Sequence, residues 1–187
     1  MGTSTDDNFF TLGDPADALV REVFARFGRA FYASNCLERE IAGTLMHVEW
    51  RSNLRPPMTR DQFHESYDLF YAGLQATPMG GLVSRLKKVP DLPQDLRDAL
   101  DECLKERNLL AHHYFWERAG EFGIPDGQRT MIDECDSMLR LFEETDAKIR
   151  EYVKPYLERH GVTDEALEKE QRRLLEDATN KLARPNQ

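Results

Sequence analysis

The chain has 187 residues, 40% hydrophobic and 32% charged, which suits one domain with a real core, or one domain with an appendage, and excludes a disordered chain. Its 25 Lys and Arg stand against 34 Asp and Glu, a net charge of -9, which argues against a broad basic surface coating duplex DNA. No apolar run reaches the roughly 18 residues a membrane span needs, and three scattered cysteines without a CxxC pair give no zinc knuckle or thioredoxin-type site.

Residues 1–13 mix Gly, Thr, Ser and Asp and read as a flexible N-terminus. Asp14-Pro15 then reads as a cap followed by Pro in the first helical position. Val20, Phe24, Phe27, Phe31, Leu37, Ile41, Leu45 and Val48 recur at helical spacing, which predicts one long helix over 16–51, bent near Gly28 or Gly43. Pro56-Pro57 stops it. Thr59 opens the next helix, with Gln62 completing a capping box and the helix reaching about Leu74. A turn at 77–81 leads to a short helix over 82–88.

Asp91 is the cap for a helix over 93–119, and the glycines and proline of 120–127 make the loop after it. A long helix over 128–160 follows, carrying Met131, Cys135, Met138, Phe142, Ile149, Val153 and Tyr156 on its stripe and stopping at Gly161. Thr163 caps a last helix to about 182, whose apolar stripe is thin. With no alternation of period two, the fold class is all-α, a helical bundle of four to five main helices. The chain divides into the flexible segment 1–13, a bundle domain 14–160, and a C-terminal helical appendage 161–187 packed on the bundle. Cys36, Cys103 and Cys135 fall inside helical patterns and read as reduced, buried thiols of a cytoplasmic protein.

The charge is uneven. Residues 85–118 carry 7 basic and 7 acidic groups, while 1–84 carry 7 and 11 and 119–187 carry 11 and 16, so the middle segment is least repulsive to a polyanion. That segment holds Glu106-Arg107-Asn108-Leu109-Leu110-Ala111-His112-His113-Tyr114-Phe115-Trp116. On a wheel of about 100° per residue, Arg107 falls within the stripe of Leu96, Leu100, Cys103, Leu110 and Tyr114. A guanidinium there is costly unless it meets a carboxylate, a phosphate or a wet cleft. Asn108 and His112 are four apart and share another face, which Leu104, Leu109, Phe115 and Trp116 surround. A helix apolar on nearly every side needs two covers, its own bundle and a second subunit or partner.

Arg107-Asn108-x-x-x-His112 resembles the R-x4-6-H motif of HEPN domains, in which a polar residue follows the Arg. The longer reading with Tyr114 looks like the variant of HEPN toxins paired with a nucleotidyltransferase antitoxin. The resemblance implies an all-helical fold and a metal-independent endoribonuclease, in which the 2′-hydroxyl of RNA attacks the adjacent phosphate at a site between two protomers. It implies His112 as general acid or base, Arg107 as phosphate clamp and Asn108 as the orienting group, with His113 and Tyr114 as accessory positions. Its implied partners are RNA, a second copy of the chain, and an antitoxin or regulatory protein. Tyr114 itself lies in the core stripe, which favours packing. Arg107 and His112 are about 140° apart on an ideal helix, so they meet most easily across a two-fold axis.

A second reading stands beside this one: a non-catalytic helical binding module that uses the same segment as a dimer or ligand interface. Other chemistry has little support. Asp61-x-x-His64 is the nearest match to a di-iron ligand pair and has no second copy, and His47, His64, His112 and His113 have no metal-site spacing. No phosphate-cradling or nucleophile-elbow motif occurs, so neither a metal nor a cofactor is expected.

Overall fold

The helices begin and end largely where Pro, Gly and capping residues place them. The computed structural model describes residues 17–55 and 57–183, and among these every regular element is helical, with no strand. The expected segment 1–13 and the Asp14-Pro15 cap lie outside the described residues.

Helix α1 spans Ala18–Leu45 and buries Val23, Ala30, Leu37, Ile41 and Leu45. Directly after it, Met46–Arg51 widens into a π-helical turn, which the sequence reading had as part of one helix to 51. Helix α2, Arg60–Gln75, has the full capping box, with Thr59 Oγ1 accepting from Gln62 N and Gln62 Oε1 accepting from Thr59 N. Helix α3 is Met79–Leu86, starting earlier than the 82–88 of the sequence reading.

The helix expected over 93–119 is three helices: α4 Gln94–His112, α5 Tyr114–Glu117 and α6 Ala119–Phe122. Its N-cap is Pro93 rather than Asp91. His113 leaves helical geometry at φ -134 and ψ -17. Tertiary packing outweighs the apolar periodicity here. Beyond the break Tyr114 sends its hydroxyl to the Met131 carbonyl at 2.9 Å, while Phe115 packs among Phe24, Phe27 and Phe122.

Helix α7 runs Pro125–Arg159 with Pro125 in its first turn, and His160 and Gly161 end it, Gly161 at φ 72. At Gly127 a Cβ would lie 2.3 Å from the Glu121 carbonyl oxygen, so only glycine lets α6 sit this close to α7. Helix α8, Asp164–Ala183, is capped by Thr163, whose Oγ1 accepts from Ala166 N at 3.2 Å.

Long-range contacts fix the arrangement. Arg26 of α1 meets Asp136, and Arg51 just beyond α1 meets the His160 carbonyl, so α1 and α7 run parallel. Cys103 meets Thr145 and Tyr114 meets Met131, so α4 and α5 run antiparallel to α7. The α1–α7 seam forms the largest interface, with α3 and α4 closing the core around Leu37, Ile41, Leu86, Leu100, Met131 and Phe142. Each buried side chain of this size contributes roughly 1.5–3 kcal/mol. In the C-terminal helix Leu167 borders a groove lined by α1 and α7, and Leu167, Leu174 and Leu175 are exposed. Cys36, Cys103 and Cys135 are free; Cys103 and Cys135 are buried, whereas Cys36, expected to be buried too, is only partly so, and burial pushes the Cys103 thiol up to about 11.

Candidate functional site

The segment Arg107–Trp116 occupies the end of α4 and the break after it. Arg107 leaves the apolar stripe at its edge. Its side chain is 22% exposed, and its Nη2 lies 3.5 Å from Glu38 Oε2 of α1, a side chain 23% exposed. The costly guanidinium therefore meets a carboxylate, at long range. Nη1 donates to Asn108 Oδ1 at 3.4 Å, and Nε is buried without a hydrogen-bond partner.

Asn108 and His112 are both exposed. His112 is the last residue of α4, and its ring stands 6.0 Å from that of His113, also exposed. The structure joins Arg107 to Asn108 and to Glu38, and it places His112 in polar contact with none of them. This agrees with residues on different faces of one helix. Among the described residues no hydrogen bond or ion pair joins the Arg107 guanidinium to the His112 imidazole.

Tyr114 sits apart from the surface chemistry. It is 1% exposed. Its hydroxyl donates to Met131 O, faces Glu134 Oε2 at 3.3 Å, and accepts from Cys135 Sγ at 3.3 Å. Burial, then Cys135 and Glu134, push the phenol far above its ordinary range. Such a phenol is a packing group and a neutral donor.

The apolar girdle that seemed to require a second cover is mostly satisfied inside the chain. Leu104 packs against Gly80 of α3, and Phe115 joins the aromatic cluster of α1 and α6. Trp116 is the exception, at 86% exposed.

Two features escaped the sequence reading. Arg118 forms a forked pair with Glu134, with distances of 2.9 to 3.2 Å, beside a groove between α4 and α7 of about 620 Å³. Glu106 and Leu109 line that groove, whereas Arg107, Asn108 and His112 do not. The other is a polar row running from the end of α1 into the π-helical turn, Glu40, Thr44 and His47, with burial lowering the His47 imidazole below its ordinary value. The spacing i, i+4, i+7 was its signal, and on the wheel Thr44 falls beside Leu37, about 20° away on the side opposite Ile41. Among the described residues no group of three or more His, Cys, Asp or Glu is placed to hold a metal. No helix of the described residues is long and apolar enough to cross a membrane.

Compared with known proteins, the chain matches no family model, no curated protein and no solved structure.

Proposed function

We propose that this chain is a HEPN-like, metal-independent endoribonuclease acting as a cytoplasmic homodimer. The supporting observation is the state of Arg107: a largely covered guanidinium with an unpartnered Nε and only a 3.5 Å ion pair, on the helix that ends in exposed His112. A cation held that loosely retains donors for a phosphate.

In the proposed reaction the 2′-hydroxyl oxygen of RNA attacks the neighbouring phosphorus. The P–O5′ bond breaks, and a 2′,3′-cyclic phosphate and a 5′-hydroxyl form. One His112 takes the proton from the 2′-hydroxyl, or gives one to the leaving oxygen. Arg107 of the facing protomer holds the phosphate oxygens as charge grows on them, and Asn108 orients its neighbours. Trp116, projecting beside the motif, supplies an apolar anchor for the two-fold contact. An antitoxin or regulatory protein would act by covering this seam.

Purified protein is expected to cut single-stranded RNA in the presence of EDTA and to leave DNA, which lacks the 2′-hydroxyl, intact. His112→Ala should lower the rate roughly 10²–10⁴-fold, and His113→Ala far less. Equal cleavage by His112→Ala and wild type refutes the assignment. The Arg107–Glu38 contact favours a second reading, in which the segment is an interface of a non-catalytic binding module. That reading gains if wild-type protein cuts no RNA and Trp116→Ser abolishes self-association in sedimentation.

A further inference from the structure

Glu40 and Thr44 of α1 and His47 of the π-helical turn line a groove of about 620 Å³, bordered by Arg150, Lys154 and Leu157 of α7 and by Leu167 of α8. This groove is separate from the Arg107–His112 segment, and the proposed ribonuclease chemistry does not use it.

Thr44 is 1% exposed, and its Oγ1 has no hydrogen-bond partner. That is unusual for this protein. Thr77, Thr130, Ser137 and Thr179 each donate to the carbonyl four residues earlier in the chain, as helical hydroxyls commonly do. Thr44 forgoes that bond while facing the groove. His47 Nδ1 is also buried and unpartnered. Both side chains flank the start of the π-helical turn at Met46, and such turns concentrate at functional sites.

Glu40 decides the sign of the ligand. Its side chain is partly buried and forms no ion pair or hydrogen bond among the described residues. Arg150 is committed to Asp146 at 2.5 Å, and Glu151 on the same wall offsets Lys154 in charge. Glu40 is then the partly buried carboxylate of the lining with no cation within ion-pair distance among the described residues. Burial, then Asp146, holds the Glu40 carboxyl above its ordinary range, and Arg150 offsets this only in part.

The geometry points to a binding site for a small primary amine with a short hydrocarbon chain. An ammonium has three donors. The groove wall has three polar groups without a hydrogen-bond partner in one row: the Glu40 carboxylate, Thr44 Oγ1 and His47 Nδ1. The hydrocarbon would lie along Ala147, Val153 and Leu157.

The test is a titration of the full chain with n-hexylamine, hexanoate and 1-hexanol, followed by amide NMR shifts in 40–47 and 147–157. Hexylamine should bind, with both other probes at least tenfold weaker. Glu40→Gln should weaken hexylamine at least tenfold. Gly43→Leu should block it by filling the groove, and it should fold normally, because a Cβ at Gly43 meets no atom within 4 Å. Equal affinity for the three probes, hexylamine binding unchanged in Glu40→Gln, or no shifts in these segments at saturating probe each overturn the proposal.

Discussion

Replacing Arg107 by Met separates an anchoring guanidinium from a working one. The Arg107–Glu38 contact is 3.5 Å long between side chains 22% and 23% exposed. At an effective dielectric of about 20 the gross attraction at this distance is about 4–5 kcal/mol, most of which desolvation and side-chain entropy offset. Met keeps the hydrocarbon part of the side chain against the stripe and loses the charge. Arg107→Met should therefore cost about 1 kcal/mol, a fall in Tm of about 2–4 °C for a chain of this size. Glu38→Gln should cost no more. The coupling between the two, from a double-mutant cycle in urea, should stay within about 1 kcal/mol. RNA cleavage should respond differently. Arg107→Met should abolish it, whereas Glu38→Gln should preserve or raise it, because the carboxylate competes with phosphate for the same donors. A coupling above about 3 kcal/mol, with both single variants unfolding early, would mark a structural buried pair and refute this reasoning.

Tyr114→Phe removes a buried hydroxyl bonded to Met131 O and Cys135 Sγ, and should lower stability by about 1–2 kcal/mol in chemical denaturation while leaving RNA cleavage unchanged. Gly127→Ala forces α6 away from α7, since its Cβ would sit 2.3 Å from Glu121 O, and should cost about 1–3 kcal/mol by the same measurement. His47 has a lowered pKa from burial, then from Arg51 and His160, so the native state binds its proton less readily than the unfolded chain does. Its contribution to stability is therefore whole above the unfolded value of about 6.5 and is lost as pH falls below it. His47→Gln should flatten the fall in Tm between about pH 7 and pH 5; a profile of unchanged slope would exclude His47 as its source.

The helices were legible because their ends are chemical. The Thr59–Gln62 box, the Gly161 stop and the Thr163 cap are local signals, and the structure uses each of them, whereas Pro125, expected in the loop over 120–127, opens α7 three residues before the expected start at 128. The break at His113 was not legible. The apolar spacing from Leu110 to Tyr114 continues the α4 stripe, and what interrupts it is the demand of α7 and of the aromatic cluster, which lie far away in sequence. The π-helical turn is likewise a backbone slip without a residue signature. At the candidate site, the sequence placed Arg107 correctly as a cation needing a partner but could not name Glu38, a contact across 69 residues. It also overcounted exposed apolar surface, because the cover for Leu104 and Phe115 comes from α3, α1 and α6.

The parallel pairing of α1 with α7 bears on how the chain is made. Arg26 and Asp136 are 110 residues apart, and the largest interface lies between these two helices. During synthesis α1 leaves the ribosome with its apolar stripe bare and waits for most of the chain before its partner appears. Closing so long a loop is costly before any contact rewards it, so folding should be slower than for a bundle of neighbouring hairpins. In that interval the stripe from Val23 to Leu45 is the part of the nascent protein most in need of a chaperone. Truncations that end before α7 should accumulate as aggregates, not as smaller folded domains.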